Sequence, residues 1–219
     1  MSRIRTQSFV KSFSGMLIAG LLLLLYLGPT MAADKAPSLL VMGDSLSAAY
    51  GLKVEEGWVS LLARKLKQQG SAWRVVNASI SGETTAGGAS RIDNELRQHQ
   101  PQLVVIELGA NDGLRGLPLD LAIANLERMI VASKQSGARV LLIGMRIPPN
   151  YGPEYTNGFQ AMYADIAKRQ NVPLLPFLMA PIAVDRSNYQ DDNLHPTAAA
   201  QPLLLAHVWA RLESLLAAK

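Results

Sequence analysis

The feature that most constrains the fold is an alternation between short unbroken apolar runs and longer stretches with helical spacing. The runs are Leu39–Met42, Val75–Ile80, Leu103–Leu108, Val140–Met145 and Leu174–Phe177. Between them, apolar residues recur every three or four positions. Trp58, Leu61, Leu62 and Leu66 form one set, Leu119, Ile123, Leu126 and Ile130 a second, and Leu204, Val208, Leu212 and Leu215 a third. Such spacing puts the apolar side chains of a helix on one face. The runs are continuous rather than alternating, as strands covered on both faces should be. Strand–helix alternation over residues 33–219 predicts an α/β fold with a parallel sheet and helices on both sides. No repeat or linker divides it, so one domain is expected. Ligands in open sheets of this kind bind beyond the carboxyl ends of the strands.

The first 32 residues read differently. Arg3, Arg5 and Lys11 precede the apolar run Met16–Leu27, and Thr30-Met31-Ala32 supplies small residues for a cleavage site. This pattern predicts a secretory signal peptide over residues 1–32, too short in its apolar part for a comfortable membrane span. Residues 1–32 hold three cations and no acid, so their removal takes the formal charge from +4 to +1. That balance, with no basic run, gives no reason to expect nucleic acid as a partner. The absence of cysteine excludes disulfides, a thiol nucleophile, a cysteine-ligated metal and a lipoprotein anchor. Export to the periplasm as a monomer, without a stable span after cleavage, is the expectation.

The strand ends carry the chemistry. Gly43-Asp44-Ser45 follows the first run and places a serine hydroxyl where a helix is expected to begin. Ser81-Gly82 follows the second, and Gly109-Ala110-Asn111-Asp112 the third. Far downstream, Asp192 precedes His195 by three residues, and Pro196 suits the first turn of the last helix. Taken singly, Ser45 is more commonly a helix cap, Gly82 and Asn111 turn residues, and His195 a solvated loop residue. Together they supply a nucleophile, a base, an orienting acid and oxyanion donors at one rim, which fits acyl transfer through a serine. His99 and His207 have no ligand spacing to His195, so no metal and no cofactor is expected.

These residues resemble the SGNH (GDSL-type) hydrolase family. Its four blocks correspond to Gly43-Asp44-Ser45-Leu46, Gly82, Gly109-Ala110-Asn111-Asp112 and Asp192-Asn193-Leu194-His195. Further stretches are similar to its bacterial periplasmic group of multifunctional thioesterase I / lysophospholipase L1 enzymes and arylesterases: residues 43–51, 75–85, 107–116, 147–152, 172–177 and 191–202. The group often has glycine where this chain has Asn193, a residue that tolerates left-handed backbone. The resemblance implies a three-layer α/β/α, flavodoxin-like sandwich with five parallel strands. It implies Ser45 as nucleophile, His195 as base and then acid, and Asp192, not Asp191, as the orienting group. The N–H groups of Ser45 and Gly82 and the side chain of Asn111 would form the oxyanion hole. Esters and thioesters with fatty acyl or aryl groups are the implied substrates. Residues 114–117 follow Asn111 and residues 145–151 follow the fourth strand, so Leu114, Pro148 and Tyr151 are expected to wall the same cleft. A carbohydrate O-acetylesterase and a non-catalytic lipid-binding protein are the alternatives. With a histidine base, activity is expected to rise with pH through neutrality.

Overall fold

The computed structural model describes Met1 and residues 36–217; the expected signal peptide lies outside these residues. Five parallel strands form one sheet in the order β2-β1-β3-β4-β5. They are β1 (Ser38–Gly43), β2 (Arg74–Asn77), β3 (Leu103–Glu107), β4 (Arg139–Ile143) and β5 (Leu174–Leu175). The order matches the flavodoxin-like class, with its topological switch between β1 and β3. The principal helices are α1 (Trp58–Gln68), α2 (Thr85–His99), α3 (Ala110–Leu114), α4 (Leu119–Gln135), α5 (Pro153–Gln170) and α6 (Gln201–Ala217). α1 packs with α6 on one side of the sheet, and α2, α4 and α5 pack in succession on the other.

The apolar pattern explains the layers. Every residue of β1 and β3 is buried, as their unbroken hydrophobicity predicts. β2 departs from that expectation. It is the edge strand, and its pattern is exposed at both ends and half-buried between. It also ends at Asn77 rather than Ile80, although the Ala78 and Ile80 amides still donate to Val41 O and Gly43 O. β5 holds only two residues of the predicted run, because Pro176, lacking an N–H, stops the ladder. The helices bury Trp58, Leu62, Leu66, Leu126, Ile130, Leu204, Val208 and Leu212 against the sheet, the faces read from the spacing.

Two helix starts differ from the sequence expectation. Ser45 does not open a helix. Residues 45–50 form a turn, closed by Ala48 N–H on Asp44 O and Tyr50 N–H on Ser45 O. Ala49 adopts φ 62°, which breaks any helical continuation, and regular helix resumes only at Trp58. Pro196 likewise lies outside the last helix. It bridges Tyr189 in an isolated antiparallel pair, and the chain enters α6 through a 3-10 turn at Ala198–Ala200. Among the described residues, no helix is long and apolar enough to cross a membrane.

Candidate active site

Parallel strands end on one edge of the sheet, so the turns after β1, β2 and β3 and the loop before α6 meet there. Ser45 Oγ lies 2.9 Å from His195 Nε2. His195 Nδ1 lies 2.6 Å from Asp192 Oδ2. An ionised carboxylate only accepts hydrogen bonds, which assigns the ring proton to Nδ1 and leaves Nε2 to accept from the serine hydroxyl. Asp192 Oδ1 also receives the Leu194 and His195 backbone N–H groups at 2.9 and 3.0 Å. The His195 N–H bond is the largest cause holding the Asp192 carboxyl down at about 2, with the ring and Leu194 bonds adding to it. Asp192 and His195 thus close a tight turn on themselves. Asn193 takes φ 59° within it, the left-handed conformation expected of an asparagine at that position.

The histidine loop is tied to the serine turn by a residue the sequence did not single out. Gln190 Nε2 donates to Tyr50 O and to Pro196 O, both at 2.9 Å. Gly51 leaves the room for it, since a Cβ there would sit 2.2 Å from Gln190 Oε1. The Tyr50 ring stacks beside His195 with centroids 4.4 Å apart. Together these contacts fix the separation between two segments 150 residues apart.

The donors lie around the same serine. Among the described residues, the backbone N–H groups of Ser45 and Gly82 have no protein acceptor. Gly82 sits at φ 80°, and the Arg115 guanidinium holds its carbonyl at 2.9 Å. Asn111 Nδ2 donates to Asp44 Oδ2 at 3.1 Å and to Glu83 O at 3.0 Å. Both of its hydrogens are therefore engaged, and a further acceptor reaches one only by sharing or displacing Asp44 Oδ2 or the Glu83 carbonyl. Asp44 is fully buried, and its other oxygen accepts the Leu46 N–H at 3.0 Å. Burial raises the Asp44 carboxyl to about 6, against the lowering pull of Leu46, His195 and Asn111.

A cavity of about 560 Å³ opens over Ser45. Apolar side chains dominate its wall: Leu114, Met145, Ile147, Pro148, Phe177 and Met179. Of the three residues expected to wall the cleft, Leu114 and Pro148 do so. Tyr151 does not; its hydroxyl instead donates to Leu114 O at 2.7 Å and braces that residue from outside the cavity. Among the described residues, no group of three or more His, Cys, Asp or Glu side chains is placed to hold a metal ion.

With this geometry in place, the family is decided by comparison with known proteins. The model of the GDSL-like lipase/acylhydrolase family matches residues 41–202. The chain belongs to that family. Esterase TesA of Pseudomonas aeruginosa is 45% identical over 201 residues, spanning 92% of this chain and 98% of that protein. Thioesterase 1/protease 1/lysophospholipase L1 of Escherichia coli (strain K12) is 41% identical over 186 residues, spanning 85% and 88%. The crystal structure of psychrotrophic esterase EstA from Pseudoalteromonas sp., inhibited by monoethylphosphonate, superposes with a TM-score of 0.79 at 43% identity, covering 82% of this chain and 98% of that one.

Within this GDSL-like hydrolase, sequence reasoning overlooked Asp44, Ser47, Tyr50, Glu107, Arg115 and Gln190. Asp44 lies in the first motif, but nothing in the motif's spacing assigns it a role. Tyr50, Arg115 and Gln190 act through backbone carbonyls or ring stacking, contacts that leave no spacing signal. Ser47 and Glu107 meet only because β1 and β3 are neighbours, with Gly43 paired to Glu107.

Proposed function

We propose that this protein is an exported serine hydrolase that cleaves carboxylic esters and thioesters through an acyl-enzyme on Ser45. The observation that carries the reading is the relay from Ser45 Oγ through the His195 ring to Asp192, with links of 2.9 and 2.6 Å. His195 Nε2 takes the serine proton as Oγ adds to the acyl carbon, and Asp192 stabilises the imidazolium that results. The charge on the former carbonyl oxygen is met by the Ser45 and Gly82 N–H groups and by Asn111. His195 then gives the proton to the departing alcohol or thiol. Water, activated by the same ring, releases the acid and restores Ser45.

The apolar cavity favours fatty acyl or aryl groups over the acetyl group of a carbohydrate ester, since a small polar substrate would leave most of that wall uncovered. The N-terminal pattern of residues 1–32 supports export to the periplasm.

The test is hydrolysis of p-nitrophenyl butyrate and octanoate by the purified protein, together with labelling by an organophosphonate. Hydrolysis by the wild type, none by Ser45→Ala, and a single adduct on Ser45 are expected. An adduct elsewhere, or full activity without the Ser45 hydroxyl, would refute the reading.

A further inference from the structure

The reaction as derived leaves one buried acid without a task. Glu107 ends β3 directly beside Gly43 and is fully shielded from solvent. Its Oε2 accepts the Ser47 hydroxyl at 2.7 Å and lies 3.4 Å from the Asp44 N–H. These two residues stand on either side of Ser45, one before it and one two places after. Gly43 makes the arrangement possible, because a Cβ there would fall 2.7 Å from Ser47 Cβ and 2.8 Å from Glu107 Oε2. From the other direction, Asn77 Nδ2 donates to Ser47 O at 2.8 Å, which fastens the same turn to the end of β2.

The charge balance is unusual. Among the described residues, Glu107 Oε1 has no hydrogen-bond partner. Among the described residues, no lysine, arginine or histidine pairs with Glu107. The titratable groups around it are the Asp44 carboxyl from the nucleophile turn and the Tyr163 hydroxyl from α5. Two adjacent buried acids with no cation do not both ionise without a large penalty. Asp44 has the stronger hold on a negative charge, because Leu46 N–H and Asn111 Nδ2 both donate to it. Burial first, and then Asp44, push the Glu107 carboxyl well above the ordinary range.

We propose that Glu107 is a positioning residue that works as the neutral acid: it ties Ser47 to the Asp44 backbone, holding the turn that carries Ser45, and leaves Asp44 as the single carboxylate that orients Asn111. The inference rests on the hydrolase reading above, and adds a residue that never touches substrate. A merely structural Glu107 would change stability and leave the chemical step alone. A positioning Glu107 changes kcat with KM preserved, because the displaced atoms are those that meet the transition state.

The experiment compares wild type, Glu107→Leu and Glu107→Gln on p-nitrophenyl butyrate, with Ser45→Ala as the blank. Glu107→Leu removes the acceptor that spans the turn and is expected to lower kcat by about 10- to 100-fold, the range that small misplacements of reacting groups produce, with KM unchanged. Glu107→Gln keeps the shape and the neutral acceptor and is expected to recover most of that loss. Wild-type kcat in Glu107→Leu would overturn the positioning role. A Gln variant as impaired as the Leu variant would show that an ionised carboxylate is needed and overturn the neutral form. If Glu107→Leu does not fold, Ser47→Ala cuts the same bond from the other side. It should then lower kcat at constant KM, and an unchanged kcat would refute the proposal. A wild type without esterase activity would refute the hydrolase reading instead.

Discussion

Replacing Asp44 by asparagine should abolish a pH-dependent loss of stability and lower activity. The carboxyl is fully buried, and burial lifts it from an ordinary 3.8 to about 6. The native state therefore binds this proton more tightly than the unfolded chain, and stability falls as pH rises from about 4 to about 6 before levelling off. The penalty carried at pH 7 is roughly 3 kcal/mol, from 1.36 kcal/mol for each factor of ten in the proton equilibrium. Asparagine has nearly the same shape and cannot ionise, so the variant lacks this fall, but its NH2 must face the Leu46 N–H or Asn111 Nδ2, a cost of about 1–3 kcal/mol that does not vary with pH. Relative to wild type, its melting temperature should therefore rise by roughly 6–12 °C between pH 4 and pH 7 for a domain of this size. At pH 4, where the wild-type carboxyl is protonated as well, the variant should be the less stable of the two. Activity should move the other way. An amide at position 44 cannot offer both Leu46 N–H and Asn111 Nδ2 an anionic acceptor, so kcat should drop by about 10- to 100-fold, approaching the loss of an oxyanion donor. Chemical denaturation of both proteins at pH 4, 5, 6 and 7, alongside kcat on p-nitrophenyl butyrate, gives both readouts. A stability difference that does not depend on pH would refute the argument.

Other substitutions probe the remaining parts. Asn111→Ala should lower kcat by about 10²–10³-fold with the fold intact by circular dichroism; a near wild-type rate would remove Asn111 from the oxyanion hole. Gly43→Ala should cost about 1–3 kcal/mol of unfolding free energy as an overpacked site, because the added methyl meets Ser47 and Glu107; denaturant titration would show no change if the turn has slack. The Asp192 carboxyl should titrate near 2 by NMR. Its ionised form is the bonded one, so what it contributes is present above the ordinary 3.8 and lost as pH falls through about 2; a midpoint near 4 would mean that the turn to Leu194 and His195 opens in solution.

The strands and three of the helices were legible because burial writes itself into spacing. β1, β3 and β4 are apolar at most positions, and they are the strands whose residues are almost all buried. α2 and α5 were not read individually. α2 buries Thr85, Gly88 and Ala89 as well as Ile92 and Leu96, so much of its inner face is too small to register as hydrophobic. Gly88 is there because a Cβ would press to 2.4 Å from Leu108 Cδ1, a requirement set by packing between helix and sheet. Tyr151 was placed in the cleft on loop position alone, and its hydrogen bond to Leu114 O turns it to another use.

The residues able to do the chemistry were fixed by the chain itself. A serine after an apolar run, an Asp-x-x-His and an Asn after a third run are local facts, readable because strand ends are where α/β sheets present side chains. What only the tertiary structure decided is how these parts are held. Gln190 locks the histidine loop to the Ser45 turn, Asp44 and Glu83 claim both hydrogens of Asn111, and Glu107 accepts from Asp44 and Ser47 on either side of Ser45. Those relations depend on which strands are neighbours and on which atoms water cannot reach, and neither quantity is a property of any short stretch of sequence.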